Sequence, residues 1–298
     1  MATVDLPLLL DSWELALRAE RKSPQTIKSY TEGVRQFFRW CELGQHEVAL
    51  NRREVNGYVW SLLENGAQPS TARVRQLSLR RFSAWLLDEG EIAVDHLLGL
   101  KPPKLDTKVI EPLTDDQLRS LIAACAGRDL RERRDEAIVR LMTETGARAG
   151  EVAVLQLADI DLKAGVGIVR RGKGGKGRTV PFGPQTIRAL DRYLRVRRGH
   201  RLAEACPDLW LGDRGKQFSY DAMHKSLAAR AAAAGITGFH PHKLRHTAAH
   251  RWLAAGGSEG GLMAVAGWAR PDMLLRYTRA QASSRAADEA RRLNLGDL

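Results

Sequence analysis

Apolar positions along the first hundred residues recur every three to four places, the spacing of one helix face. Ile27, Tyr30, Val34, Phe37 and Phe38 form the clearest run. Ser23-Pro24 precedes it, an N-cap followed by a proline whose missing N–H costs nothing at the first helical position. A second helix is predicted over 53–64, stopping before Gly66, and a third starts at Ser70. Val74, Leu77, Leu79, Phe82, Trp85 and Leu86 mark the apolar side of the third, and Arg73, Arg75, Arg80 and Arg81 are assigned to its other side. A solvated face and a phosphate-facing one both fit these arginines; the lack of an acid before Asp88 favours the second.

The period stops at Lys101-Pro102-Pro103-Lys104, and the polar, proline-bearing stretch 101–112 reads as a linker. Thr114-Asp115-Asp116-Gln117 then opens a second domain with a helix cap and early acids. Helices are expected to about residue 157. Two strands at 167–171 and 178–182 flank a glycine-lysine turn, and helices return from Thr186 apart from a short Leu209-Trp210-Leu211 segment. The fold class is mainly α with a small β-sheet in the second domain.

Composition narrows the partners. With 298 residues the chain is long enough for one large domain or two ordinary ones, its 44% apolar content allows a packed core, and a net charge of +12 points to a polyanion, nucleic acid first. Cys41, Cys125 and Cys206 are too few and too scattered for a metal cluster or a disulfide framework, so a reducing, cytoplasmic setting is expected. The apolar patch at 6–10 lacks basic residues before it and is neither a signal peptide nor a membrane span.

Gly172-Lys173-Gly174-Gly175-Lys176-Gly177 matches a dinucleotide-binding pattern and nearly matches a P-loop. Both need a helix next, so that phosphate meets a helix N-terminus, and the residues that follow read as a strand. What remains is a turn carrying Lys173, Lys176 and Arg178, either a plain basic turn or a lysine delivered to a DNA groove. His242, His246 and His250 fall on one helix face, but Lys243 stands where a metalloprotease helix needs Glu, and no acid or cysteine lies nearby; no metal is expected. Arg148 follows a glycine turn in Thr145-Gly146-Ala147-Arg148, with Glu151 one turn on to brace it or simply to pair with it at the surface. His242 and Arg245 share one side of a helix turn. Trp268 and Tyr277, taken singly, read as core aromatics.

Taken in order, TGARAGE, GKGGKGRTVP, HPHKLRH, AGWARPD and LLRYTRA resemble the tyrosine recombinase (phage integrase) family. The N-terminal half, SPQTIKSYTEGVRQFFRWC and STARVRQLSLRRFSAWL, is similar to its helical core-binding domain. The resemblance covers nearly the whole chain. It implies a helical, SAM-like core-binding domain at 1–100, a linker at 101–112, and a mixed α/β catalytic domain at 113–298 ending in a tail helix. The layout is Xer-like, with no room before Leu8 for an arm-binding domain.

The resemblance also assigns roles. Arg148, Lys173, His242, Arg245, Trp268 and Tyr277 are the implied catalytic residues, with Glu151 in support. Arg73, Arg75, Arg80, Arg81, Lys176 and Arg178 are candidates for DNA contact. Trp268 stands where relatives usually have His; it can donate a hydrogen bond but cannot shuttle a proton. The glycines at 260–261 fall where apolar helix residues are expected. The implied activity is cofactor-free DNA cleavage and rejoining through a 3′-phosphotyrosine and a Holliday junction. Implied partners are a specific core site on double-stranded DNA, a homotetramer across two duplexes, and an accessory or directionality protein. Integration or excision of a mobile element is the first expectation; Xer-type dimer resolution and a type IB topoisomerase are the alternatives.

Overall fold

The computed structural model describes residues 5–105, 111–170, 177–213 and 217–268, together with 270, 271, 274 and 291. Two compact units divide the chain, Met1–Lys108 and Val109–Leu298.

The first unit is built from α1 (Leu10–Ala19), α2 (Pro24–Gly44), α3 (Arg52–Glu64) and α4 (Pro69–Asp88). Ser23 caps α2 as its sequence predicts, accepting from the Thr26 amide at 3.2 Å, and Asn51 caps α3 by accepting from Glu54 at 2.9 Å. Trp13, Val34, Phe37, Tyr58, Leu79, Phe82 and Leu86 form the core, with the Trp13 and Phe82 rings 5.1 Å apart. The apolar patch at 6–10 serves this core: Leu6 and Leu10 are buried, and α1 grows out of it. α2 crosses α4 at Gly33, where a Cβ would lie 2.6 Å from that of Ser78; only glycine lets the two helices approach this closely.

Two assignments on α4 change. Val74 is exposed, and the buried face instead runs through Ala72, Gln76, Leu79, Phe82, Ser83 and Leu86. Arg75 does not share a face with Arg73, Arg80 and Arg81. At 100° per residue it lies across the helix from Arg73, and its stem passes close to Gly33 of α2. Arg73 and Arg81 are exposed and Arg80 half-buried.

The second unit begins with α5 (Asp115–Ala123) and α6 (Leu130–Thr145), followed by α7 (Ala149–Ala153) and a single 3₁₀ turn. The Thr114 cap forms in full: its hydroxyl accepts from the Gln117 amide and the Gln117 side chain accepts from the Thr114 amide. A three-stranded antiparallel sheet follows, in the order β1 (Ile160–Asp161), β2 (Val166–Val169), β3 (Arg178–Pro181). β1 is too short to leave a pattern in the sequence. Then come α8 (Pro184–Arg197), α9 (Tyr220–Ala233), α10 (Pro241–Ala254) and α11 (Glu259–Ala266).

α6 is the axis of this unit, buried along most of its length and packed by α8 and α10. It carries charge into the interior: Arg134 and Asp135 pair at 2.9 Å, Arg230 reaches the other Asp135 oxygen at 3.0 Å, and Arg134 stacks on Phe218. Such a pair persists only with its hydrogen bonds satisfied; Ser226 and the Leu211 carbonyl complete it. Leu209-Trp210-Leu211 interrupts the helices as expected, lying between isolated bridges at Asp208 and Leu211. Arg197 holds it by donating to the carbonyls of Cys206, Asp208 and Leu209, and the Trp210 indole donates to Val152 at 2.8 Å. The glycines at 260–261 do not disrupt α11. They occupy its first turn, capped by Ser258, where a Cβ on Gly261 would lie 2.9 Å from the Ser258 hydroxyl and 3.0 Å from the Trp252 ring.

Candidate active site

Arg148 is placed by the end of α6 and the start of α7. Gly146 ends α6 in the left-handed region, φ 62°, and turns the chain so that Arg148 becomes the residue before α7. Glu151 then braces it twice: one oxygen accepts from the Arg148 guanidinium at 2.8 Å, the other from its backbone amide at 2.9 Å. The surface-pair alternative is set aside, because the Glu151 side chain is only 6% exposed. A second guanidinium nitrogen of Arg148 donates to the Gly267 carbonyl at 3.1 Å.

Arg245 comes from α10 and is 1% exposed; it donates to the Gly146 carbonyl at 2.6 Å. Its guanidinium carbon lies 5.3 Å from the centre of the Trp268 ring, within cation–π reach. Trp268 is itself buried, one residue beyond the left-handed Gly267 that ends α11. Thus Arg148, Arg245 and Trp268 meet around two left-handed glycines, Gly146 and Gly267, although they come from three separate segments. His242 sits in the first turn of α10, three residues before Arg245, with its ring edge-on to His246 at 4.8 Å. Lys173, Lys176 and Tyr277 lie outside the described residues, as does nearly all of the expected tail helix.

Arg178 is a correction. Expected to face DNA beside Lys173 and Lys176, it turns inward from the start of β3. Its two terminal nitrogens clamp the two Glu151 oxygens at 3.1 and 2.7 Å, and its Nε donates to Val265 at 2.8 Å. A buried carboxylate across the sheet edge outcompetes solvent for a guanidinium in reach of both oxygens. Burial alone would raise the Glu151 pKa, but the hydrogen bonds from Arg178 and Arg148 bring it down to about 2. The histidines on α10 behave differently. Burial and the neighbouring His242 lower the His246 pKa to about 4, so its ring is neutral at pH 7. Among the described residues no three His, Cys, Asp or Glu stand where one ion could bind them.

Residues 111–284 match the profile of the "Phage integrase family", and residues 9–90 that of its "N-terminal SAM-like domain". The chain belongs to the phage integrase family. These tyrosine recombinases cleave and rejoin DNA strands. This family member is 33% identical to tyrosine recombinase XerC of Mycobacterium bovis (strain BCG / Pasteur 1173P2) over 261 residues, covering 83% of this chain and 86% of that one. It is 31% identical to tyrosine recombinase XerD of Bifidobacterium longum (strain NCC 2705) over 243 residues, 78% and 79% of the two chains. In fold it resembles the Tn1549 transposon integrase in complex with circular intermediate DNA, with a TM-score of 0.73 at 18% identity over 92% of this chain and 95% of that one. A lambda integrase dimer bound to a core site gives a TM-score of 0.71 at 17% identity over 90% and 93%. No helix among the described residues is long and apolar enough to cross a membrane.

Proposed function

We propose that this recombinase is site-specific, cutting each DNA strand with Tyr277 and passing it through a Holliday junction to integrate or excise a mobile element. The observation that carries the reading is the convergence of Arg148, Arg245 and Trp268 around Gly146 and Gly267. Two guanidinium forks offer permanent charge to the non-bridging oxygens of a phosphodiester, where negative charge builds as a fifth oxygen approaches phosphorus. The Trp268 indole adds a donor.

The Tyr277 phenol oxygen attacks phosphorus and its proton passes to His242. The bond to the 5′ oxygen breaks, and the Lys173 ammonium protonates that leaving oxygen. The products are a 3′-phosphotyrosine and a 5′-hydroxyl. Attack by a 5′-hydroxyl of the partner duplex reverses each step, so the ester retains the bond energy and religation needs neither nucleotide nor metal. Exchange between two duplexes takes four such sites, which a homotetramer supplies; a lambda integrase tetramer bound to a Holliday junction is among the structural neighbours. Arg73, Arg80 and Arg81 on α4, with Lys176, contribute contacts to the DNA backbone. An accessory or directionality protein would set the direction of exchange, and the tail from residue 281 would dock on a neighbouring subunit. The relatives named XerC and XerD favour a second reading, Xer-type resolution of chromosome or plasmid dimers.

The test is a nicked suicide duplex, recovered as a covalent adduct from a randomised pool by the unmodified chain. Tyr277→Phe is expected to bind it and form no adduct on a denaturing gel; an adduct that persists would remove Tyr277 from the mechanism. Relaxation of supercoils without site dependence would move the assignment to a type IB topoisomerase.

A further inference from the structure

One carboxylate in the site serves two arginines. Glu151 accepts four hydrogen bonds: from the Arg148 guanidinium and amide, and from both terminal nitrogens of Arg178. Arg148 with Glu151 alone is a neutral pair. Arg178 brings the group to a net charge of one positive while remaining largely buried itself, with 11% of its side chain exposed. It cannot present its fork to a duplex in this position.

The same two arginines also grip the end of α11. Arg178 donates to the Val265 carbonyl and Arg148 to that of Gly267, cations placed where a helix leaves its last carbonyls unpaired. The approach is close: a Cβ on Gly267 would lie 2.8 Å from the Arg178 guanidinium carbon. Trp268 follows directly. Arg178 therefore ties the start of β3 to the Arg148 brace and to the end of α11, directly before Trp268.

We propose that Arg178 is a positioning residue for strand cleavage: by sharing Glu151 with Arg148 it leaves Arg148 net positive charge for the scissile phosphate and holds the end of α11 beside it. This rests on the function proposed above. It makes Arg178 different from the lysines before it, which would act by reaching DNA.

The experiment compares two versions of the suicide duplex, one with the natural scissile phosphodiester and one with an uncharged methylphosphonate there, both at saturating protein. Arg178→Gln is expected to cleave the phosphodiester at least about 10-fold more slowly than the unmodified chain, the scale of losses seen when a supporting partner of a site is removed. On the methylphosphonate it should stay within about 3-fold, because the methyl group removes the standing charge of one non-bridging oxygen and leaves a single developing charge, which Arg245 can meet, in the transition state. DNA affinity by gel shift should hold. Arg178→Lys keeps the charge without the fork and is expected between the two on the phosphodiester. Equal losses on both substrates, no loss on either, or lost affinity with unchanged cleavage would each overturn the proposal. So would failure of both variants to fold, which would leave the bridge purely structural. If the unmodified chain forms no adduct on any duplex, the proposed function fails, and this inference with it.

Discussion

Glu151 is buried with a pKa of about 2 against an ordinary value of 4.5, so its ionisation should be a measurable part of the stability of the second unit. The sign follows from linkage. The folded group holds its proton less tightly than the unfolded one, so the contribution is fully present above pH 4.5 and is lost as pH falls towards 2. At roughly 1.4 kcal/mol per unit, the contribution at pH 7 is about 3 kcal/mol, and at pH 3 it has fallen to between about 1 and 2 kcal/mol. Glu151→Gln carries two costs. One is constant with pH: an amide N–H now faces guanidinium donors, and buried Arg178 loses its counter-charge. The other is the ionisation part, which only the unmodified chain can lose in acid. The deficit of the variant should therefore shrink by about 2 kcal/mol between pH 7 and pH 3. Urea unfolding of the full chain, read by hydrogen exchange in peptides from 130–160, follows the right unit. His246 also titrates in this range, but both proteins carry it and it cancels from the difference. A deficit of equal size at both pH values would refute the account, because the four hydrogen bonds would then not be stabilising the carboxylate.

Two further changes follow from the same region. His246 has its pKa lowered to about 4 by burial and by His242, so the sign is that of a base kept neutral: its contribution is whole above pH 6.5 and is lost on the way down to 4. Replacing it, as in His246→Asn, should remove part of the acid destabilisation between those values, seen as a flatter melting temperature against pH; an unchanged slope would mean the ring titrates normally. Gly267→Ala should cost about 1–2 kcal/mol from the left-handed backbone alone, φ 65°, and more from the clash with Arg178. A melting temperature within error of the unmodified chain would show that α11 can end without that turn.

The parts of this fold that could be read in advance are those whose cause is local. Ser23-Pro24 and Thr114-Gln117 start helices through hydrogen bonds spanning three residues, so the signal and the structure lie in the same short window. The strand after the glycine-lysine stretch is of the same kind: β3 stands where a nucleotide loop needs a helix. Misread positions are those where facing had to be judged within one helix. Arg75 and Val74 belong to arcs of α4 that only its packing on α2 distinguishes. β1, two residues long, is stabilised by its partner strand and leaves no period of its own.

The site divides along the same line. Arg148 with Glu151, and His242 with Arg245, are each three residues apart and legible as pairs, because one helical turn brings them together. Arg178 is not legible in this way. Its neighbours in sequence are lysines and glycines, and composition alone makes it one more cation on a basic turn. Its partner lies 27 residues back on another element, and its second contact 87 residues ahead. Only one thing in the sequence bears on it: the alternation in Arg178-Thr179-Val180-Pro181, where Val180 is buried. Successive strand residues point to opposite faces, so Arg178 shares the inward face with Val180 and Thr179 does not. An arginine in phase with a core valine must find a carboxylate or carbonyls inside, and Glu151 is the buried acid that the first arginine already requires. The strand period therefore gives a reason to turn Arg178 inward that composition cannot. It makes the arginine a second claimant on Glu151, and hence a part of how Arg148 keeps its charge.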